Sequence, residues 1–438
     1  MEGRNIVPFV RILQHRGLLY LLVLLLLAMT HSAPGSWNDE SRIATVQSLV
    51  ESRSFIIDKS VFSTTGDKVF INGHFYSDKP PMPSALGAAI YLPLYEFGLN
   101  LHRDSSVPYY IVTLLTAKLF WLLGSIAFFL ALGFTALDAK MRFLASVALA
   151  VGSLYFSWST TFNGHELAAS FLAIGFYFLL KARFTANINL NLSGAAFFLA
   201  LASTADVPTG VFYALFLLYV LHDARLRPAV AYYLLPLLVT VVPALAMTYS
   251  IHHSIVPVQI VKAYFDYPGS PWIGSNDLSG MRTNSLWFIL RYGLLVLIGP
   301  KGFLIYNPIL WVALWGLVQS LRRKGLFFRE AIVIASGTGL LALYYIFFTD
   351  NYGGWSYSIR WFVPLLPLLF FFLFPYLEAY DLKRAARFRV LLGAAVVIAF
   401  VGALDPWSDG SLSRAPFIAN IEELATSIAG FAHSTFSR

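Results

Sequence analysis

Two clusters of charged side chains near the amino terminus could catalyse a reaction. The first contains Asp39 and Glu40, and the second contains Asp78 and Lys79. A carboxylate can take a proton from an attacking group, and a cation can stabilise a leaving group that carries negative charge. Both clusters lie beside long apolar segments, where ionisable groups are costly and therefore suggest a functional site.

Composition places these clusters at a membrane. The chain is 58% hydrophobic and only 12% charged, and its mean hydropathy is +0.66. This balance indicates a polytopic membrane protein. The net charge of +8 comes from small basic clusters between apolar runs, which is typical of membrane orientation and argues against nucleic-acid binding. The absence of cysteine excludes disulfides, thiolate metal sites and a cysteine nucleophile.

The apolar runs predict an all-α protein of about eleven transmembrane helices. Two shorter runs, 192–203 and 206–221, are interpreted as short helices that turn near the outer surface, whereas 82–99 and 285–299 are interpreted as interfacial helices. Lysine and arginine then concentrate on one side, which predicts a cytoplasmic amino terminus and an outer carboxyl terminus. The remaining predicted spans are 18–33, 107–134, 143–162, 165–181, 229–250, 303–321, 331–349, 361–379 and 389–405.

This arrangement divides the chain into a transmembrane domain, 1–405, and a short outer tail, 406–438. Within the domain, 34–106 and 251–302 form long outer loops. Apolar residues at helical spacing predict an amphipathic helix over 39–52 that lies on the membrane, with Asn38 as its cap. Acidic residues in a first turn are favoured by the helix dipole alone, so Asp39 and Glu40 have a structural interpretation of equal weight.

Four segments, in this order and all on the outer side, resemble a known superfamily. They are similar to motifs of the lipid-carrier-dependent glycosyltransferases of the GT-C superfamily, such as protein O-mannosyltransferases and the lipid A aminoarabinose transferase. In those proteins an acidic pair is followed by an acid-Lys-Pro-Pro turn, but here Ser77-Asp78 precedes Lys79 where an aromatic residue and glutamate are common. The segments are Asp39-Glu40-Ser41-Arg42, Phe75-Tyr76-Ser77-Asp78-Lys79-Pro80-Pro81, Gly299-Pro300-Lys301-Gly302-Phe303-Leu304-Ile305-Tyr306-Asn307-Pro308 and Asn351-Tyr352-Gly353-Gly354-Trp355-Ser356-Tyr357-Ser358-Ile359-Arg360.

The resemblance implies transfer of a sugar from a polyprenyl phosphate to a lipid, glycan or protein acceptor. The transfer would invert the anomeric carbon and occur on the outer face of the plasma (inner) membrane. Asp39 would be the base, and Glu40 would position the acceptor or a metal. Lys79 and Arg360 would face the donor phosphate, and Asp78 would orient Lys79 or the sugar. The structural alternatives are that Lys79 snorkels at the interface and that Arg360 anchors the end of a span.

Further residues are candidates for substrate binding. His165 and Asp206 lie at outer ends of apolar runs, where a hydrogen-bonded histidine and a capping aspartate are equally good interpretations. Tyr352, Trp355 and Tyr357 could stack on a sugar or belong to the interfacial aromatic belt. Second-rank phosphate ligands are Arg282 and Lys301. The sequence has no metal-ligand spacing, and whether a divalent cation takes part stays open.

Two other function classes compete with the transferase. A multi-span lipid or glycolipid transporter, or flippase, would carry charges at mid-bilayer and inverted repeats, yet Lys118 is the main charge within a predicted span. A non-catalytic membrane assembly subunit would tolerate neutral substitutions at both Asp39 and Lys79.

Overall fold

The computed structural model describes residues 24–25, 27–273, 285–379, 381–408 and 414–436. This part of the chain is almost entirely helical, with one short β-hairpin, so the prediction of an all-α polytopic protein is confirmed. Arg282 and residues 18–23 and 26 of the predicted span 18–33 lie outside the described residues. The α-helices are Trp37–Glu51, Pro81–Glu96, Val107–Thr113, Leu119–Ala131, Ala139–Val151, Leu154–Trp158, Gly164–Phe184, Ile188–Ala205, Gly210–His222, Val230–Leu234, Val241–His252, Leu286–Ile298, Leu310–Arg323, Phe328–Phe348, Leu366–Phe370, Phe374–Glu378, Leu382–Leu404 and Pro416–Phe436.

Within the described ranges, seven helical segments are long and apolar enough to cross a membrane. Several of them join α-helices through short 3₁₀ or π turns. Val207–His222 and Leu286–Ile298 are apolar but shorter. The seven segments are Val107–Phe134, Gly164–Phe184, Ile188–Ala205, Arg227–His252, Phe328–Phe348, Arg360–Glu378 and Ala386–Leu404.

Two predicted spans are shorter than expected. The run 143–162 is interrupted at Gly152 and Ser153, where the Ser153 hydroxyl donates to the Leu149 carbonyl and the Leu154 N–H donates to the Asn307 side chain. The run 303–321 becomes an α-helix only from Leu310, because the residue before Pro308 avoids helical backbone angles. In contrast, the first of the two predicted short helices extends to Ile188–Ala205, and the chain then turns at Asp206 as expected.

Close helix packing forms the core. The buried aromatic segment Arg360–Glu378 lies among the other helices, and Leu310–Arg323 crosses it at Gly316. A Cβ atom at Gly316 would lie only 1.8 Å from the Phe372 carbonyl oxygen, so this crossing requires glycine. Small residues at such crossings let backbones approach closely within a bilayer.

The first outer loop contains a tight antiparallel hairpin, Lys68–Ile71 and His74–Ser77. Its two-residue turn is Asn72-Gly73, and both residues have positive φ, as hairpin turns of this type require. Lys68 pairs with Ser77. The residues that flank this pair, Asp67 and Asp78, are therefore held at the same end of the hairpin.

The helix over 39–52 forms, but two predictions about it are wrong. It begins at Trp37, and its cap is Ser36 rather than Asn38: the Ser36 side chain and the Asp39 carboxylate form a reciprocal capping box. It also does not lie on the membrane, because the residues from Asn38 to Ser48, apart from the half-buried Glu40, are buried. The helix packs between Pro81–Glu96 and the hairpin.

The predicted outer tail contains a helix, Pro416–Phe436, here called the tail helix. Its Asn420 amide donates to the carbonyls of Val401 and Asp405 at 3.0 and 2.8 Å, which ties it to the end of the preceding span. Ile418, Ile421 and Ile428 remain exposed on it.

Candidate active site

A cavity of about 1130 Å³ lies where the first outer loop meets the ends of several helices. Its wall contains both charged and apolar residues. The apolar side chains include Val207, Val211, Leu340, Leu341 and Tyr344. The charged residues of the wall are Glu40, Arg42, Asp67, Asp78, Lys79, His165, Asp206 and Arg360.

Lys79 is held by two carboxylates at the end of the hairpin. Its Nζ lies 2.8 Å from both Asp67 Oδ2 and Asp78 Oδ2. Burial raises the pKa of the Asp78 carboxyl, and the charge of Lys79 partly opposes this effect. The Ser41 hydroxyl also donates to Asp78 Oδ1 at 3.3 Å, which joins the hairpin to the helix Trp37–Glu51. Sequence reasoning missed Asp67, although the Asn72-Gly73 turn fixes the register that brings it to this position.

Two guanidinium groups line the same cavity. Arg42 donates to the Asn38 side chain at 3.0 Å, and Arg360 donates to the Trp355 carbonyl at 3.3 Å. Among the described residues, neither buried Nε atom has a hydrogen-bond partner. Burial lowers the pKa of Arg42 to about 10, so it stays protonated at neutral pH. Two cations that line one cavity suit an anionic ligand. Sequence reasoning placed Arg42 in a motif but gave it no role.

Asp39 does not line the cavity; it is fully buried. Its carboxylate accepts from the N–H groups of Gly35 and Ser36 at 2.9 and 2.8 Å. It also accepts from side chains of three distant segments, Tyr109, Thr161 and Trp407, at 2.9 to 3.1 Å. The carboxylate therefore joins the first outer loop to the transmembrane helices.

Glu40, the next residue, does line the cavity. Its Oε1 lies 3.6 Å from Arg103 Nη2, and its buried Oε2 has no partner in the part of the chain that the structure describes. Burial raises the pKa of the Glu40 carboxyl, and Arg103 opposes the effect. A carboxyl that lines a cavity and has a raised pKa has the properties of a general base.

His165 and Asp206 are brought together on another part of the wall. His165 Nδ1 lies 2.8 Å from Asp206 Oδ2. His165 is in the first turn of Gly164–Phe184, which Asn163 caps, and Asp206 is at the turn between the next two helices. The pair can present the other ring nitrogen of His165 and the second oxygen of Asp206 to a polar ligand.

The three aromatic candidates lie at different distances from the cavity. Trp355 lines the cavity and is 65% exposed. Tyr357 is fully buried and donates to the Ile398 carbonyl at 2.7 Å, and the Tyr352 ring packs against Tyr292 with centroids 4.7 Å apart. Neither tyrosine reaches the cavity wall. Lys301 is also outside it and donates to the Gly354 carbonyl.

A protein site for a metal ion requires several ligand side chains close together. In the described segments, no three histidine, aspartate or glutamate side chains are grouped as metal ligands. Glu40, which lines the cavity, is one carboxylate that could serve as an oxygen ligand.

Comparison with solved structures identifies the fold. No family model matches the chain, and no curated protein matches its sequence. Crystal structures of ArnT from Cupriavidus metallidurans do match, one bound to undecaprenyl phosphate and one in the apo state. They are 13% and 14% identical to this chain, each with a TM-score of 0.56. The alignments cover 95% and 96% of this chain and 76% and 77% of ArnT.

ArnT is an aminoarabinose transferase of the GT-C superfamily. The chain has an ArnT-like fold. This fold agrees with the resemblance drawn from the outer-loop motifs. At this level of identity the similarity lies in the fold, and the residue roles depend on the geometry of this cavity.

Proposed function

We propose that this protein is a membrane glycosyltransferase that moves a sugar from a polyprenyl-phosphate donor to an acceptor. The observation that carries the proposal is a cavity whose wall combines two guanidinium groups and several carboxylates with apolar side chains. A polyprenyl phosphate likewise combines a charged head with a long apolar chain. The fold shared with ArnT, which was crystallised with undecaprenyl phosphate, supports this donor class.

Arg42 and Arg360 are the first choice for binding the donor phosphate. Planar guanidinium groups bind phosphate oxygens in pairs, and both arginines line the cavity. Lys79 was predicted for this role together with Arg360, but two carboxylates already lie 2.8 Å from its Nζ. We place Lys79 second, as a cation that turns toward the phosphate when the leaving group gains charge.

The apolar side chains of the wall suit the polyprenyl chain. Val211 belongs to Gly210–His222, and Leu340 and Leu341 belong to Phe328–Phe348. Leu340 is 50% exposed, so these side chains extend to a surface that the bilayer covers. A donor can therefore place its phosphate at the arginines while its chain stays among lipid tails.

Glu40 is our proposed base, in place of the predicted Asp39. The acceptor hydroxyl gives its proton to Glu40 while its oxygen attacks the anomeric carbon, and the bond from that carbon to the phosphate oxygen breaks. The bonding electrons leave with the phosphate, which the arginines stabilise. Attack opposite the leaving group inverts the anomeric carbon. His165, Asp206 and Trp355 would hold the sugar between these groups.

We place the cavity on the outer face of the inner membrane, following the distribution of lysine and arginine. The chain has no cysteine, so single cysteines can report their side. Asp104 and Lys140 are both exposed, and a membrane-impermeant thiol reagent added outside should label Asp104→Cys but not Lys140→Cys. Lysed cells serve as the control, in which both should react. The reverse pattern would place the cavity on the cytoplasmic face.

Transfer from a labelled polyprenyl-phosphate sugar, measured in vesicles with envelope extracts as acceptor, tests the function. Arg360→Ala should abolish most transfer, whereas Arg384→Ala, a matched change at a half-buried arginine outside the cavity wall, should leave it unchanged. Movement of labelled lipid across the bilayer without transfer would favour the transporter instead. No product and no lipid movement, from correctly inserted protein, would favour the assembly subunit.

A further inference from the structure

Trp407 joins the predicted tail to the centre of the site. Its side chain lines the cavity and is almost fully buried. The indole Nε1–H lies 3.1 Å from both Asp39 Oδ2 and Thr161 Oγ1, and the ring packs edge-on against Trp158 with centroids 4.8 Å apart. A single side chain thus contacts the first outer loop and the segment before Gly164–Phe184.

The ring of Trp407 also supports Arg360. The guanidinium carbon lies 5.2 Å from the ring centroid, within the range of a cation–π interaction. At another side of the ring, a Cβ atom on Gly35 would come within 2.8 Å of Trp407 Cδ1. Gly35 is one of the residues whose N–H binds Asp39. The indole is therefore closely enclosed and cannot turn away from Arg360 without moving this loop.

Local hydrogen bonds place Trp407 at this position. Its N–H donates to the Asp405 side chain at 3.0 Å, and the Pro406 carbonyl accepts from the Tyr357 N–H at 2.8 Å. The Asp405 carbonyl accepts from Asn420 of the tail helix. The chain after the last span is thus fixed both to the segment 351–360 and to the tail helix.

The choice of an aromatic partner has an electrostatic consequence. A carboxylate partner would neutralise the guanidinium and occupy its N–H groups, as Asp67 and Asp78 do for Lys79. An aromatic face holds a cation while leaving the N–H groups at its edge unoccupied. The hydrogen bond of Arg360 goes to the neutral Trp355 carbonyl, so this arrangement keeps its charge available to an anion.

We propose that Trp407 is a positioning residue for the donor phosphate, which it serves by holding Arg360 toward the cavity. This inference rests on the proposed function, because it assumes that Arg360 binds the phosphate. It makes the segment after the last span part of the active site. The tail helix then stabilises the site by fixing the backbone of Asp405.

Binding of undecaprenyl phosphate, with undecaprenol as the uncharged reference, tests the proposal. Trp407→Leu should weaken binding of the phosphate about tenfold, since a partly desolvated cation–π contact has that size, and should not alter binding of the alcohol. Trp407→Phe keeps an aromatic face without the indole N–H and should retain most of the affinity. Trp311→Leu, at a half-exposed tryptophan outside the cavity wall, is the matched control and should bind as the original protein does.

A double substitution distinguishes a positioning role from a general effect on folding. In the Arg360→Ala background, Trp407→Leu should cause no further loss of phosphate binding, because the group that it positions is gone. If Trp407→Leu does not accumulate in membranes, Trp407→Met replaces it as a large apolar side chain without an aromatic face. Since both ligands are measured on the same protein, an inactive fraction lowers both signals equally.

Two results would overturn the proposal. Unchanged phosphate binding in Trp407→Leu, together with a loss in Arg360→Ala, would remove the role of Trp407 and leave the proposed function intact. Fully additive losses in the double variant would show that Trp407 acts independently of Arg360. Unchanged binding in Arg360→Ala would instead contradict the donor site itself.

Discussion

Asp39 and Glu40 are neighbours in one helical turn, yet they lie in opposite environments. On the inner side of the turn, Asp39 accepts hydrogen bonds from two N–H groups and three distant side chains. On the cavity side, Glu40 has one long contact with Arg103 and one oxygen without a partner among the described residues. A carboxylate that is saturated with donors can hold segments together, whereas a base must have an oxygen free for an incoming proton.

The same contrast separates the cations. Lys79 has two carboxylate partners, while Arg42 is held by an amide oxygen and Arg360 by a carbonyl and an aromatic face. Neutral partners position a charge without cancelling it. We therefore assign chemical roles to groups that can still form hydrogen bonds or ion pairs with a ligand. We assign structural roles to groups whose hydrogen bonds and ion pairs are already formed within the protein.

The largest effect should come from Glu40→Gln. The change keeps the shape of the side chain but removes the proton acceptor, so we expect the transfer rate to fall by about a hundredfold or more. Binding of undecaprenyl phosphate should be nearly unchanged, because we place the phosphate at the arginines and not at Glu40. Initial rates on matched amounts of protein in vesicles measure the first effect, and equilibrium binding measures the second.

Asp39→Asn is the control for that experiment. Near-normal transfer by Glu40→Gln, combined with a large rate loss in a stable Asp39→Asn protein, would reverse our assignment. It would restore the sequence-based prediction that Asp39 is the base.

The next largest effect should be on donor affinity in Arg42→Ala. Loss of charge-assisted hydrogen bonds to a phosphate should weaken binding of undecaprenyl phosphate by about tenfold to a hundredfold. Arg42→Lys keeps the charge but not the planar fork, so it should recover only part of the affinity. The binding constant, measured against undecaprenol, checks both variants. Equal binding by Arg42→Ala and the original protein would leave Arg360 and Lys79 as the phosphate ligands.

Asp39→Asn should mainly reduce stability. Its amide can accept at one oxygen only, and its NH₂ group would face donors that need an acceptor. We expect a loss of about 2 kcal/mol in the free energy of unfolding, compared with about 0.5 kcal/mol or less for Glu40→Gln. Unfolding by denaturant in detergent micelles, monitored for both variants, measures this difference. Equal stability of the two variants would contradict the anchoring role of Asp39.

Sequence patterns predicted the parts of this molecule that depend on local chemistry. Apolar runs indicated the long helices, and the acidic pair and the acid-lysine turn pointed to the outer loop that forms the cavity. Local signals also misplaced the cap by two positions, since Asn38 and Ser36 are both good caps. The capping box with Asp39 favours Ser36.

The remaining features depend on contacts between distant segments. No local sequence pattern shows that Asp39 accepts hydrogen bonds from Thr161 and Trp407, so its complete set of hydrogen bonds could not be predicted. The enclosed positions of Tyr352 and Tyr357 could not be predicted either. The break near Ser153 depends on Asn307. Trp407 was missed because the tail carries no motif. Asp67 was also missed, but its position could have been predicted, because the hairpin turn fixes its register.

The smallest expected effect concerns the contact between Arg103 and Glu40. Burial raises the pKa of the Glu40 carboxyl and Arg103 lowers it, so Arg103→Ala should raise that pKa further. A base works only when deprotonated, and the acid limb of the transfer rate should therefore move to higher pH, with the rate at high pH unchanged. Arg103 is half-exposed, so solvent screening keeps the shift small. Rates measured across pH for Arg103→Ala and for Lys59→Ala, an exposed cation of the same loop, separate this contact from a general change in surface charge. A shift of equal size in both variants, or a shift to lower pH, would mean that Glu40 does not control the acid limb.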